Sequence, residues 1–148
     1  VIYYPTNFPT NGCREDDLST AKEIYAKMRQ KDHAFVVENL PSPSDFKGLL
    51  SFSEINLTTR MHACILSTGA FVPTISVNYL FKLKEYMDSL GLSDFSIDIE
   101  DFSSNIAMRA FDQIWKNRLC IKKKIEKGML TKKENLAGSM KYLDLLIS

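Results

Sequence analysis

Short apolar runs alternate along the chain with longer stretches in which apolar side chains recur every three or four positions. That alternation predicts strands and helices in turn. The runs are Val1-Ile2-Tyr3-Tyr4, Ala34-Phe35-Val36-Val37, Ile55-Asn56-Leu57-Thr58-Thr59 and Thr74-Ile75-Ser76-Val77, with Ile97-Asp98-Ile99 as an edge strand. Ala34–Val37 is continuously apolar, as expected of a central strand buried on both faces of a parallel sheet. Asp16 and Asp17 open a helix running to about Gln30, with Leu18, Ala21, Ile24, Tyr25 and Met28 at helical spacing. Pro41-Ser42-Pro43-Ser44 leads into a helix whose buried side is Phe46, Leu49, Leu50 and Phe52. Thr58 and Thr59 are placed to cap a helix starting near Met61, and a helix from about Leu80 to Leu90 ends at Gly91. Beyond Ser104 the pattern is helical throughout. One helix from Asn105 to about Lys127 carries Ile106, Phe111, Ile114, Trp115, Leu119 and Ile125, and Gly128 breaks it. Thr131-Lys132-Lys133-Glu134 then reads as a capping box that opens a last helix with a Leu136, Met140, Leu143, Ile147 stripe.

The order βαβαβαβα implies an α/β domain with a mainly parallel sheet and helices on both faces. No repeat, low-complexity segment or long linker interrupts residues 1–148, so a single domain is expected. Composition adds limits: 45% hydrophobic and 25% charged residues describe an ordinary globular chain, and a net charge of +1 supplies no global field to attract nucleic acid. Cys13, Cys64 and Cys120 are odd in number and form no C-x-x-C pair, which points to a reducing, cytoplasmic setting and away from a zinc site. No apolar run approaches the roughly 20 residues that span a bilayer. Val1 is not an initiator methionine, and the chain reads as cut from something longer.

Open parallel sheets bind ligands at the carboxyl ends of their strands. That rule gathers Thr6 and Asn7, Glu38 and Asn39, Arg60 and His62, and Asn78, Tyr79 and Lys82 as candidates, each group following one strand. Arg60 and His62 fall in the first turn of an apolar helix, where unpaired amides and the positive dipole end favour an anion. The plain alternatives are a cap and a packed side chain for this pair, a solvated residue for Lys82 and a packing role for Tyr79. His33 reads as a loop residue. Asp98, Glu100 and Asp101 read as a solvated acidic loop, so no metal is expected. Lys122-Lys123-Lys124 reads as the wet face of a helix, with a peripheral membrane contact as the minority reading.

Arg60-Met61-His62-Ala63, an apolar helix, Val72-Pro73, Tyr79 with Lys82 three residues on, and Leu90-Gly91-Leu92 together resemble the carboxyl-terminal half of the polysaccharide pyruvyltransferase family. An Arg-hydrophobic-His-Ala motif and a Val-Pro, Tyr-x-x-Lys, Leu-Gly-hydrophobic series occur there in the same order. The likeness runs from about Asp17 to Leu146, and its specific part is Arg60–Leu92. Leu80 and Phe81 stand where the family commonly has an acidic residue and a proline. The resemblance implies one Rossmann-like half of a GT-B-type transferase that moves the enolpyruvyl group of phosphoenolpyruvate onto a sugar hydroxyl, ending in a pyruvate ketal of an exopolysaccharide or cell-wall glycan. It further implies no cofactor, a saccharide acceptor that is lipid-linked in some settings, a missing amino-terminal half, and little or no turnover by this chain alone. By the same carry-over Arg60 and Lys82 would hold the donor's phosphate and carboxylate, and His62 would deliver a proton to the methylene carbon. Two other classes stay open: a nucleotide-sugar-dependent glycosyltransferase-like domain, and a non-catalytic interaction module with the same fold.

Overall fold

The computed structural model describes residues 1–6, 17–39 and 42–147, with side chains as far as residue 137. The chain divides into two compact units, Val1–Ser44 and Asp45–Ser148. In the first, β1 (Ile2–Tyr3) and β2 (Phe35–Val36) pair in parallel, Ile2 opposite Phe35 and Tyr3 opposite Val36, with α1 (Asp17–Lys27) between them in sequence. The amides of Phe35 and Val37 donate to the carbonyls of Val1 and Tyr3, both at 3.0 Å. The Ala34–Val37 run is therefore not a central strand. Among the described residues β2 pairs with β1 alone, and Phe35 is 63% exposed while Ala34 is buried. A run of apolar residues cannot by itself report whether one face or both are covered. α1 buries Ala21 and leaves Ile24 exposed. It stops at Lys27, and Met28 turns instead to take the Tyr3 hydroxyl on its sulfur at 3.5 Å.

The second unit begins within α2 (Pro43–Leu50), at Asp45. Its elements are β3 (Asn56–Thr58), α3 (Met61–Gly69), β4 (Thr74–Asn78), α4 (Phe81–Ser89), β5 (Ser96–Asp98) and α5 (Ser104–Ile147). The strands form a parallel sheet in the order β3-β4-β5, with Thr58 opposite Ser76 and Ser76 opposite Ser96. Strand, helix, strand, helix, strand in one parallel sheet is the Rossmann-like α/β arrangement that the alternation predicts. β4 is its centre, and all of its residues are buried. Ile75 of β4 packs in one cluster with Cys64 of α3, Leu83 and Met87 of α4, and Ala110, Ile114, Ile121 and Ile125 of α5. Burial pushes the Cys64 thiol up to about 12, so it behaves as a small apolar side chain that donates weakly to the Met87 sulfur at 3.5 Å.

α3 and α4 end in the same hydrogen-bond pattern on different residues. After α3, Phe71 N–H bonds the Thr68 carbonyl and Val72 N–H that of Ser67, both at 3.0 Å. After α4, Gly91 N–H bonds Asp88 and Leu92 N–H bonds Met87, both at 2.9 Å. Each is a Schellman cap, which needs a left-handed residue: Gly91 has φ 67° and Phe71 has φ 61°. Phe71 is costly there for its Cβ, and its ring packs on the core cluster in return. An alanine at 91 would carry the cost without that return, and its Cβ would lie 2.8 Å from Lys124 Cε. Gly91→Ala is therefore expected to lower stability by about 1–2 kcal/mol. Urea unfolding would show it as a lower midpoint at unchanged slope, and an unchanged midpoint would refute the strain argument.

Two helical expectations are corrected. Phe52 lies beyond the end of α2 and is 87% exposed, because the helix closes at Leu50 with Ser51 turning back on the Gly48 carbonyl. Gly128 does not break the carboxyl-terminal helix either. α5 is one helix of 44 residues, and the Thr131 hydroxyl bonds back to the Lys127 carbonyl rather than capping a new start. A Cβ on Gly128 would sit 3.1 Å from Leu90 Cδ2, so the glycine permits the close approach of α5 to the end of α4.

Candidate functional site

The sheet order brings the carboxyl ends of β3, β4 and β5 side by side, and the segments leaving them carry Arg60 and His62, then Asn78, Tyr79 and Lys82, then Asp98. Arg60 is the residue before α3, in extended conformation, and makes no side-chain cap bond. Thr58 instead fixes the entry: its hydroxyl accepts the Arg60 N–H at 3.0 Å and lies 3.3 Å from the Arg60 carbonyl. The capping hydroxyl foreseen in the sequence thus orients Arg60 without closing the helix start. The first helical bond runs from Cys64 N–H to the Arg60 carbonyl, so the amides of Met61, His62 and Ala63 have no partner within the helix. His62 is exposed in this turn and Arg60 is half-buried.

α4 begins in the same way. Leu80 precedes it in extended conformation without a side-chain cap bond, and Lys82 is exposed in its first turn. Neither α3 nor α4 has an acidic residue in the first turn, whereas α1 has Asp17 and α2 has Asp45 there. Cations at a helix amino terminus oppose the dipole at a cost of about 0.3–1 kcal/mol each, so two neighbouring starts of this kind are opposite to what stability alone would favour. An anion lying over these amides would reverse the sign of that interaction.

The other candidates divide. Asn78 is buried, and its amide donates to Ser96 Oγ at 2.8 Å and to Asp98 Oδ1 at 3.4 Å while its oxygen accepts from Ser76 Oγ at 2.9 Å. It braces the strand ends. Tyr79 is exposed at the strand exit. Asp98 is no free member of an acidic loop: it bonds Lys84 at 2.5 Å, which holds the carboxyl below its usual range and raises the lysine. The strand-end rule names Asn78 but not its partners Ser76 and Ser96, nor Lys84 as the partner of Asp98. The signal for the group was the pair of alternating polar positions, Ser76 with Asn78 and Ser96 with Asp98, inside otherwise apolar strands.

Thr6, Glu38 and Asn39 belong to the first unit. Thr6 donates to the Asp17 carboxylate from both its amide and its hydroxyl at 3.2 Å, Glu38 pairs with Lys22 at 3.4 Å, and Asn39 is exposed. Asn7 lies outside the described residues, as do Cys13 and Asp16. Among the described residues no helix is long and apolar enough to cross a membrane.

Residues 3–80 match the family described as polysaccharide pyruvyl transferase. The match takes in Arg60-Met61-His62-Ala63 and Tyr79 and stops short of Lys82 and Leu90-Gly91-Leu92. The whole chain is also 23% identical to the amylovoran biosynthesis protein AmsJ of Erwinia amylovora and spans 35% of that relative's length. No solved structure matches it.

Proposed function

Because the chain belongs to the polysaccharide pyruvyl transferase family, we propose that the paired helix starts at Arg60–His62 and Lys82 hold phosphoenolpyruvate for transfer of its pyruvyl group to a sugar hydroxyl. The observation that carries this reading is that α3 and α4, leaving adjacent strands, both lack a side-chain cap and a first-turn acid while presenting basic side chains. Phosphoenolpyruvate carries a phosphate and a carboxylate, and two neighbouring cationic helix starts suit two anionic groups. In the proposed reaction the sugar oxygen bonds to the enol carbon while the methylene carbon takes a proton and becomes a methyl group. A second hydroxyl of the acceptor then displaces phosphate from that carbon, and the cyclic ketal remains. His62, beside Arg60 and exposed, is the group assigned to the proton, and AmsJ's part in amylovoran biosynthesis suits a saccharide acceptor.

Thermal unfolding of the full-length protein with phosphoenolpyruvate, and separately with a nucleotide diphosphate sugar, tests the donor. A ligand at 100 times its dissociation constant stabilises by about 2.7 kcal/mol. Phosphoenolpyruvate should raise the melting temperature, Arg60→Ala should abolish most of the rise, and Arg60→Lys should restore only part, since an ammonium lacks the planar fork. Stabilisation by the nucleotide sugar alone would replace this reading with a glycosyltransferase-like one.

A further inference from the structure

We propose that the exposed face of α5 between Met108 and Lys127 docks in the plane of an anionic lipid bilayer surface. The proposal stands on this helix and not on the donor site. Met108, Phe111, Trp115 and Leu119 follow one another at spacings of three and four, which places them on one stripe of the helix. The stripe is distinct from the buried Ala110, Ile114, Ile121, Ile125 row that joins the core. Trp115 is 46% and Leu119 72% exposed. The rings of Phe111 and Trp115 stack with centroids 6.1 Å apart and the Arg118 guanidinium lies 4.7 Å from the Trp115 ring, so the apolar surface is a fixed aromatic platform.

Charge says what the platform fits. Arg109, Lys116, Lys123 and Lys127 run alongside it, about 100° around the helix from the stripe, and all are exposed. Lys122 continues the stripe itself at its carboxyl end. Between Arg109 and Lys133 the acidic residues are Asp112 and Glu126, against nine basic ones, in a chain whose net charge is only +1. Among the described residues no ion pair engages Arg109, Lys116, Lys123 or Lys127. Lysine is depleted from protein–protein interfaces, whereas lysines beside an exposed tryptophan and leucine are the composition of a helix lying at the headgroup boundary. Such a surface would carry the protein to acceptors presented at a membrane without a spanning segment.

Trp115 is the sole tryptophan, so its emission reads this face directly. Adding vesicles of equimolar phosphatidylcholine and phosphatidylglycerol at low salt should shift that emission to the blue and bring the protein down on sedimentation. Phosphatidylcholine vesicles alone should do neither, and added salt should reverse the binding. The combined variant Arg109→Gln, Lys116→Gln, Lys123→Gln, Lys127→Gln should weaken partitioning about fivefold per charge, several hundredfold in all. Trp115→Ser should weaken it with the charges intact, with circular dichroism confirming the helix in both variants. Partitioning undiminished in the charge variant, no emission shift with anionic vesicles, or a blue shift produced by protein concentration alone would overturn the proposal, the last because a second copy would then cover the face.

Discussion

In the proposed reaction, turnover is expected to fall by roughly 10²–10⁴ in His62→Asn while affinity for the proposed donor stays nearly unchanged, the usual contribution of a proton donor lost without loss of binding. His62 has the access this role requires. It is exposed in the first turn of α3, two residues after Arg60, at the carboxyl end of β3. Asparagine keeps a polar side chain of similar reach and lacks the imidazole that would give and take the proton. Calorimetric donor affinity beside steady-state rates would separate the two effects. A variant with full turnover and an intact fold would return His62 to a structural role and leave Arg60 and Lys82 as a binding site only. A variant with weakened donor binding and an unchanged rate at saturation would make His62 a ligand.

The largest stability loss is expected at Ile114. Ile114 is fully buried where α5 meets the cluster of Ile75, Met87 and Leu92, and truncation to alanine should cost about 2–5 kcal/mol through lost burial and the cavity left behind. That is a large part of the 5–15 kcal/mol that holds a typical domain. Leu119→Ala, five positions along the same helix, removes an exposed side chain and should change stability by less than about 0.5 kcal/mol. Urea unfolding of both variants checks the contrast. Equal effects would mean that α5 does not pack through the Ile114 row.

The elements flanking the candidate site were legible because short-range chemistry agrees with the fold there. β3, α3, β4, α4 and β5 are each bounded by residues whose local preference matches their place, such as Thr58 at the entry of α3 and Gly91 at the exit of α4. Elsewhere the deciding interaction was remote. Gly128 has the sequence character of a stop, and only the position of Leu90 against it shows the close helix approach that the glycine serves instead. Phe35 and Phe52 carry apolar side chains that the pattern assigns to a core, yet their partners depend on where the strand and the helix end. Among the candidate residues, Arg60, His62 and Lys82 follow from a strand-end rule that needs only the order of elements. The commitment of Asn78 to Ser76, Ser96 and Asp98 does not, because it depends on which strand lies beside β4.

β4 also solves a problem of alignment. β3 and β5 have three residues each, too few for their own side chains to choose one pairing over another. β4 alternates Thr74, Ser76 and Asn78 on one side with Ile75 and Val77 on the other, and every one is buried. Sliding either neighbour by a single position would turn its side chains to the opposite side of the pleat. In a slide of β5, Ser96 and Asp98 would leave the Asn78 amide without its partners in the interior, and Ser76 would keep Asn78 alone. Each buried polar group so orphaned costs about 1–3 kcal/mol. The polar ladder at the strand ends is therefore a proofreader of pairing between β4 and β5: it makes a shifted β5 expensive and holds its end level with the end of β4, from which α4 leaves.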